Sequence, residues 1–381
     1  MLNRGQPASG RSFVYPSLSI VPLQNHPASH PAPRLRSLLI GLALVGLACT
    51  KDVLAPPFLL GGDRLIFQTA PSGVVAGQFI GPFVRVAIVD TGGNTVARSG
   101  VDVTLYLDST DPRDTLKGTV TLPTVNGLVI FNDLFLKRAA NNFRIVATAR
   151  GLSGVVSPPF NVSVGPAARL AFSVQPSTVI AGEKMVPAPQ VLVQDAVGNT
   201  IPNDSGLVVL QVLTGPSIAP RNATVSAVNG VARYDSLRIN AAAPNFTLTA
   251  VGPVGRGLTA AVSSVFSVTP GAPRKIGFSQ PPFNNIVNTP FIPSLAATIT
   301  DSMSNIVTAF TQPVSLEFEF RPIGNTAALG GILTVNAVGG VATFSGIAID
   351  LTCNSGNCYR LRALSPTVPD TARSNFFFIV P

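Results

Sequence analysis

From about residue 64 onward, apolar and polar positions alternate in short runs, as in VDVTLYL from Val101, FRIVATA from Phe143 and VSLEFEF from Val314. A period of two sends successive side chains to opposite faces, so each run predicts a β-strand with one face buried. β-Branched and aromatic residues fill the runs, and turn residues separate them every 8 to 12 positions. About seven strands per 100 residues is the density of a two-sheet sandwich. Helical periodicity is absent from this region, so the fold class expected is all-β.

The pattern recurs. RLIFQTAPSGVVAGQFIGPFVRVAIVDTGGNTV opens at Arg64, RLAFSVQPSTVIAGEKMVPAPQVLVQDAVGNTI at Arg169 and RKIGFSQPPFNNIVNTPFIPSLAATITDSMSNIV at Arg274, so the starts are 105 residues apart. The correspondence continues through NGLVIFNDL, NGVARYDSL and GGVATFSGI. It then passes through aromatic-led strands at Phe143, Phe246 and Tyr359 and closes on FNVSV, FSVTP and FFFIV. A period of about 105 residues suits a self-contained domain and is too long for a solenoid unit. The predicted repeats are 64–165, 168–269 and 273–381, preceded by an extension and leader over 1–48 and a linker over 49–63.

The order V-x-D-x-x-G-N-x-V, a V-x-L strand, N-G-V-A and F-T-L-T-A resembles bacterial immunoglobulin-like repeats of the invasin and intimin type. The second copy matches best, through VQDAVGNTI, VNGVARYDSL and FTLTAVG. The third departs at Ser304, where the others have Gly, and at Gly339, where they have Asn. The resemblance implies three tandem immunoglobulin-like β-sandwich domains with a structural or adhesive role at a cell surface. The antibody hallmarks are missing, since no Cys pair is spaced to bridge the sheets and the chain has no Trp. The connectors SVGPAA, Ser163 to Ala168, and TPGAP, Thr269 to Pro273, are short and stiffened by Pro. The expected arrangement is an elongated rod.

Composition agrees with this picture and narrows the partners. Charged residues make up 11% of the chain, while Gly and Pro number 34 each, a breaker content that disfavours long helices. The net charge of +9 invites a nucleic-acid reading. Four of the basic residues, however, lie in an acid-free stretch of 48 residues at the start, which leaves 22 basic against 17 acidic residues in the remainder. That excess is scattered rather than gathered into a stripe able to track phosphates, so no nucleic-acid partner is expected.

Ser37 to Ala48 is a run of 12 uncharged, mostly apolar residues, preceded by Arg34 and Arg36. It is short for a membrane span and has the form of an export signal. The segment GLAC ending at Cys49 resembles a bacterial lipobox, with Gly46 at the position usually held by Leu. The resemblance implies cleavage before Cys49, lipidation of its thiol and a membrane partner through that anchor. Thr50 resembles the residue that directs lipoproteins to the outer membrane. The alternative is ordinary cleavage near Ala48 and secretion. The mature chain is expected to be exported to the cell envelope. From Thr50 to Asp63 the linker is 14 residues, a reach of at most about 50 Å. Cys353 and Cys358, in CNSGNC, are expected to close a local disulfide in an oxidising compartment.

Candidate chemistry is sparse. Asp90, Asp195 and Asp301 with Asn94, Asn199 and Asn305 form the D-x-x-x-N elements. A calcium site is weighed there, but calcium takes six or more oxygens and no acidic cluster accompanies these positions. The expected role is structural: Asp caps a turn and Gly or Asn accepts positive φ. Both histidines, His26 and His30, fall in the part predicted to be lost, so Ser-His-Asp, Cys-His and His-metal centres are not expected. Glu317 and Glu319 are predicted to share the outer face of one strand rather than form a hydrolytic pair. No cofactor, metal or enzyme activity is expected. The reading is a surface protein whose repeats act as spacer and contact surface. The alternative is a binding module for carbohydrate or a secreted protein through domain-end loops, which the lack of Trp disfavours for sugars.

Overall fold

The structure, a computed structural model, describes residues 62–381; the leader and Cys49 lie outside the described residues. Those residues form strands and turns built on three hydrophobic cores, one for each sequence repeat.

In repeat 1 the strands Arg64–Thr69, Val84–Val89 and Leu128–Phe131 make one antiparallel sheet. The opposing sheet runs Thr121–Pro123, Asp102–Leu107, Ile145–Ala149 and Val155–Val156. Val74–Val75 leaves the first sheet to pair in parallel with Phe160–Ser163, which also pairs with Ala140–Phe143. Two sheets with a strand switching between them is the immunoglobulin-like arrangement. Repeats 2 and 3 reproduce it register for register. Leu65 faces Ile88 as Leu170 faces Val193 and Ile276 faces Ile299. The register shift after Phe67 recurs after Phe172 and Phe278.

Alternation places the core. Val103, Leu105, Ile145 and Ala147 are buried while their strand neighbours face outward or lie at the margin, and in the central strand Val84–Val89 every residue but Arg85 is buried. The Asn-Gly turns at Asn126 and Asn229 have both residues at positive φ, and the third repeat meets the same demand with Gly339 and Gly340. Ser304, at φ 68°, takes the left-handed conformation held by Gly93 and Gly198. The two sequence departures of repeat 3 therefore leave its turns unchanged. X-Pro bonds are cis at corresponding places, before Pro82, Pro187 and Pro293.

Repeat 3 differs at one hairpin. Cys353 and Cys358 are joined with an S–S distance of 2.07 Å. Cys353 bridges to Ile379 as Ala140 pairs with Val162 and Ala243 with Val268, and Tyr359 pairs with Phe377 as Phe143 does with Phe160. The loop between these anchors is three residues longer than in the other copies.

Tyr234 is fully buried, and its hydroxyl donates to the carbonyl of Val208 at 3.0 Å. Burial pushes its phenol well above the usual range, so it stays a neutral donor. Repeats 1 and 3 hold Phe131 and Phe344 at the same place, which shows that the ring fits without the hydroxyl. Tyr234→Phe is expected to lower stability by about 1 kcal/mol, the net worth of one buried hydrogen bond, as read from urea unfolding midpoints.

Candidate functional site: the inter-repeat junctions

The D-x-x-x-N elements follow the central strands Val84–Val89, Gln190–Gln194 and Leu295–Thr300. Among the described residues the side chains of the repeat 1 element bond only within it: the backbone N–H of Asn94 donates to Asp90 Oδ1 at 2.9 Å, and Asn94 Nδ2 donates to Asp90 Oδ2 at 3.3 Å. This is a side-chain-capped turn.

In repeat 2 the same residues reach further. Asp195, buried, accepts at Oδ1 from the N–H groups of Val197, Gly198 and Asn199 at 3.0, 2.7 and 2.8 Å. Its Oδ2 accepts from Asn199 Nδ2 at 2.8 Å and from the N–H of Gly165, in the linker, at 3.1 Å. Asn199 then spans the boundary: its Oδ1 accepts from the N–H of Ala139 at 2.9 Å, and its Nδ2 donates to the carbonyl of Lys137 at 2.7 Å. Both polar atoms of the carboxamide are thus spent on the backbone of the preceding repeat.

The second junction repeats the first. Asp301 Oδ2 accepts from the N–H of Gly271, Asn305 Oδ1 accepts from the N–H of Ala242, and Asn305 Nδ2 donates to the carbonyl of Asn240, each at 2.8 Å. Asp301 Oδ1 takes the N–H groups of Met303 and Asn305.

An apolar contact accompanies each clamp. Val197 packs against the core of repeat 1, lying over Gly77, where a Cβ would fall 2.7 Å from Val197 Cγ1. Met303 lies over Gly182, with Cγ 3.2 Å from where a Cβ would stand, but stays exposed. Sequence reading assigned the Asp and Asn residues to turns and missed this second role. The available signal was the residue two after each Asp, which is Val197 and Met303 at the junctions but Gly92 in the first copy.

The surroundings of Asp195 suit an anion rather than a bound cation, since N–H groups converge on both carboxylate oxygens. Among the described residues no group of three or more His, Cys, Asp or Glu side chains is placed to hold a metal ion. A shallow concavity in repeat 2, between Val209–Val212 and Ser217–Thr224, is lined by no ionisable side chain. Glu317 and Glu319 lie on the outer face of Pro313–Phe320 and are paired there, Glu317 with Arg362 at 2.5 Å and Glu319 with Arg373 at 2.9 Å. Among the described residues no helix is long and apolar enough to cross a membrane, which leaves membrane-spanning strands unaddressed.

No family model and no curated protein matches the chain. Among solved structures, protocadherin gammaB7 repeats 3–6 are similar at 13% identity, over 84% of this chain and 77% of that one, with a TM-score of 0.31. Invasin, described as a bacterial integrin-binding protein, is similar at 14% identity over 83% of this chain and 60% of its own, with a TM-score of 0.30. The adhesin InvE of Yersinia pseudotuberculosis matches at 12% identity over 54% of this chain and 58% of its own, with a TM-score of 0.23. The sandwich assignment rests on the strand order of the chain itself.

Asn199→Ala and Asn305→Ala are each expected to cost about 1–3 kcal/mol more than Asn94→Ala, because only they orphan backbone groups of a neighbouring repeat. Urea titrations of the three variants measure the difference. Acid acts on the same bonds. Desolvation raises the Asp195 and Asp301 carboxyls, but the hydrogen bonds from Asn199 and Asn305 and from backbone N–H groups outweigh it and hold both below the ordinary 3.8. A depressed folded-state pKa contributes stability that is fully present above pH 3.8 and is lost as pH falls through the lowered value. Unfolding midpoints are therefore expected to drop below about pH 4, and Asp195→Asn, already weaker at neutral pH, to drop less.

Proposed function

We propose that the chain is a non-enzymatic cell-envelope or surface protein whose repeats serve as spacer and as adhesion or interaction surface. The observation that carries the reading is the pair of equivalent junctions, in which a carboxamide of one repeat holds the backbone of the repeat before it. Tethers built only for proximity need no such contacts, because a flexible linker suffices. Fixed junctions in series convert three small sandwiches into reach, and reach is what a spacer supplies.

Two further features support the surface placement. The leader ending at Cys49 has the charge, apolar run and small residues of an export signal, and its GLAC segment has the form of a lipidation site. The joined Cys353 and Cys358 belong to the kind of bridge that oxidising compartments favour. An anchor at Cys49 would place repeat 1 next to a membrane, about 14 linker residues away, with repeats 2 and 3 following it along the chain. The non-enzymatic reading is supported by carboxylates that are paired with Arg on an open strand face and by a concavity without acids or bases.

Mass spectrometry of the mature protein from a bacterial host is expected to find an acylated N-terminus at Cys49, abolished by Cys49→Ser, with repeat 3 open to protease on intact cells. An unmodified N-terminus upstream of Cys49 would remove the anchor. Turnover on a panel of glycans and esters would overturn the spacer reading itself.

A further inference from the structure

We infer that the junctions are directional couplings, in which the following repeat seats an apolar residue on a socket of the repeat before it and at the first junction adds to its core, and that repeat 1 lacks the knob and repeat 3 the open socket for the same contact. The inference rests on the spacer reading and deepens it.

The contact has a knob and a socket. The knob is the residue two after the Asp, Val197 or Met303, and the socket is a glycine at φ +80°, Gly77 or Gly182, whose missing side chain makes the room. Each socket is held open by its own backbone. Gly77 N–H donates to Leu136 O, and Gly182 N–H donates to Ile239 O. The rim of the socket is the next stretch of that segment, Lys137 to Ala139 or Asn240 to Ala242, which receives the Asn clamp. Val197 touches the side chains of the repeat 1 core, so part of that core is supplied from outside it. A sandwich of about 100 residues buries a modest fraction of its surface, and a borrowed apolar residue is a considerable share of its margin.

Repeat 1 lacks the knob and repeat 3 the open socket. In repeat 1, Gly92 stands where the knob would be, and among the described residues Asn94, exposed, bonds only within its turn. In repeat 3 the socket position is Asn288, which keeps the positive φ of 59° and the same backbone bond, its N–H donating to Ile349 O. Asn288 carries a Cβ where Gly77 and Gly182 have none. Head-to-tail contacts between identical repeats extend into filaments when nothing closes them. An absent knob and a socket that carries a Cβ withhold that contact from second copies of the chain.

Hydrogen exchange on the chain carrying all three repeats tests the coupling. Val197→Ala lies in repeat 2, yet it is expected to speed exchange of the Val84–Val89 core strand of repeat 1 about fivefold, by removing half-buried methyl groups from that core. Met303→Ala, at a more exposed knob, is expected to act less on Gln190–Gln194 of repeat 2 and to leave Val84–Val89 unchanged. Asn199→Ala serves as a second variant acting at the same boundary through the clamp alone. Acceleration confined to repeat 2 under Val197→Ala, or to the pole amides of Gly77 and Ala139 with the strand unaffected, would overturn the coupling. Either result leaves the spacer reading standing, because reach requires fixed junctions and not shared stability.

Discussion

A buried carboxylate surrounded by N–H donors organises this chain. Asp195 and Asp301 are almost wholly withdrawn from water, an arrangement that is costly for an ionised group unless each oxygen is hydrogen-bonded. Here each oxygen is bonded, and the donors come from three places: the turn that follows, the linker glycine before it, and the Asn at its end. Because the same Asn also holds the preceding repeat, one charged group fixes the turn, the connector and the neighbour together. Among the described residues the Asp90 carboxylate makes turn bonds alone and stays partly exposed, whereas Asp195 and Asp301 are buried against the repeat before them.

The three copies thus differ in the residues that meet a neighbour and agree in those that face inward. Leu65, Leu170 and Ile276 fill one core position, and Phe131, Tyr234 and Phe344 another, with changes no larger than a hydroxyl or a branch. The knob position runs Gly92, Val197, Met303, and the socket position runs Gly77, Gly182, Asn288. Such variation has no account within a single sandwich, since those residues lie at its ends. It has one once the ends are seen as inner and outer.

This division also explains what could be read without coordinates. Strand alternation and the 105-residue period placed the sandwich repeats, and the short spacing of CNSGNC placed the Cys353–Cys358 bridge, because the partners are near in sequence or equivalent between copies. Ser304 stands where the other copies have Gly, and the bonds of Asp301 to Met303 and Asn305 hold it at positive φ. The clamp was illegible for a different reason. Asn199 and Asn305 bond to the main chain of Lys137, Ala139, Asn240 and Ala242, and a backbone group carries no side-chain identity for a motif to display. A residue read as a turn former was already explained, so its second contact left no unexplained signal.

The chemistry of the junctions bears on how the array responds to its surroundings. Among the described residues no ion pair joins two repeats: Arg98 pairs with Asp63 in the linker before its own repeat, and pairs such as Arg256–Asp204 and Arg362–Glu317 lie within one repeat. The bonds that cross a junction join a neutral carboxamide to neutral backbone groups, and the contact beside them is apolar. Salt screens exposed charges and leaves such contacts largely untouched. At each boundary the carboxylate is buried among N–H donors. The junctions are therefore held by shape and amide hydrogen bonds, and strong acid, which protonates the aspartates, is the ionic condition to which they are exposed.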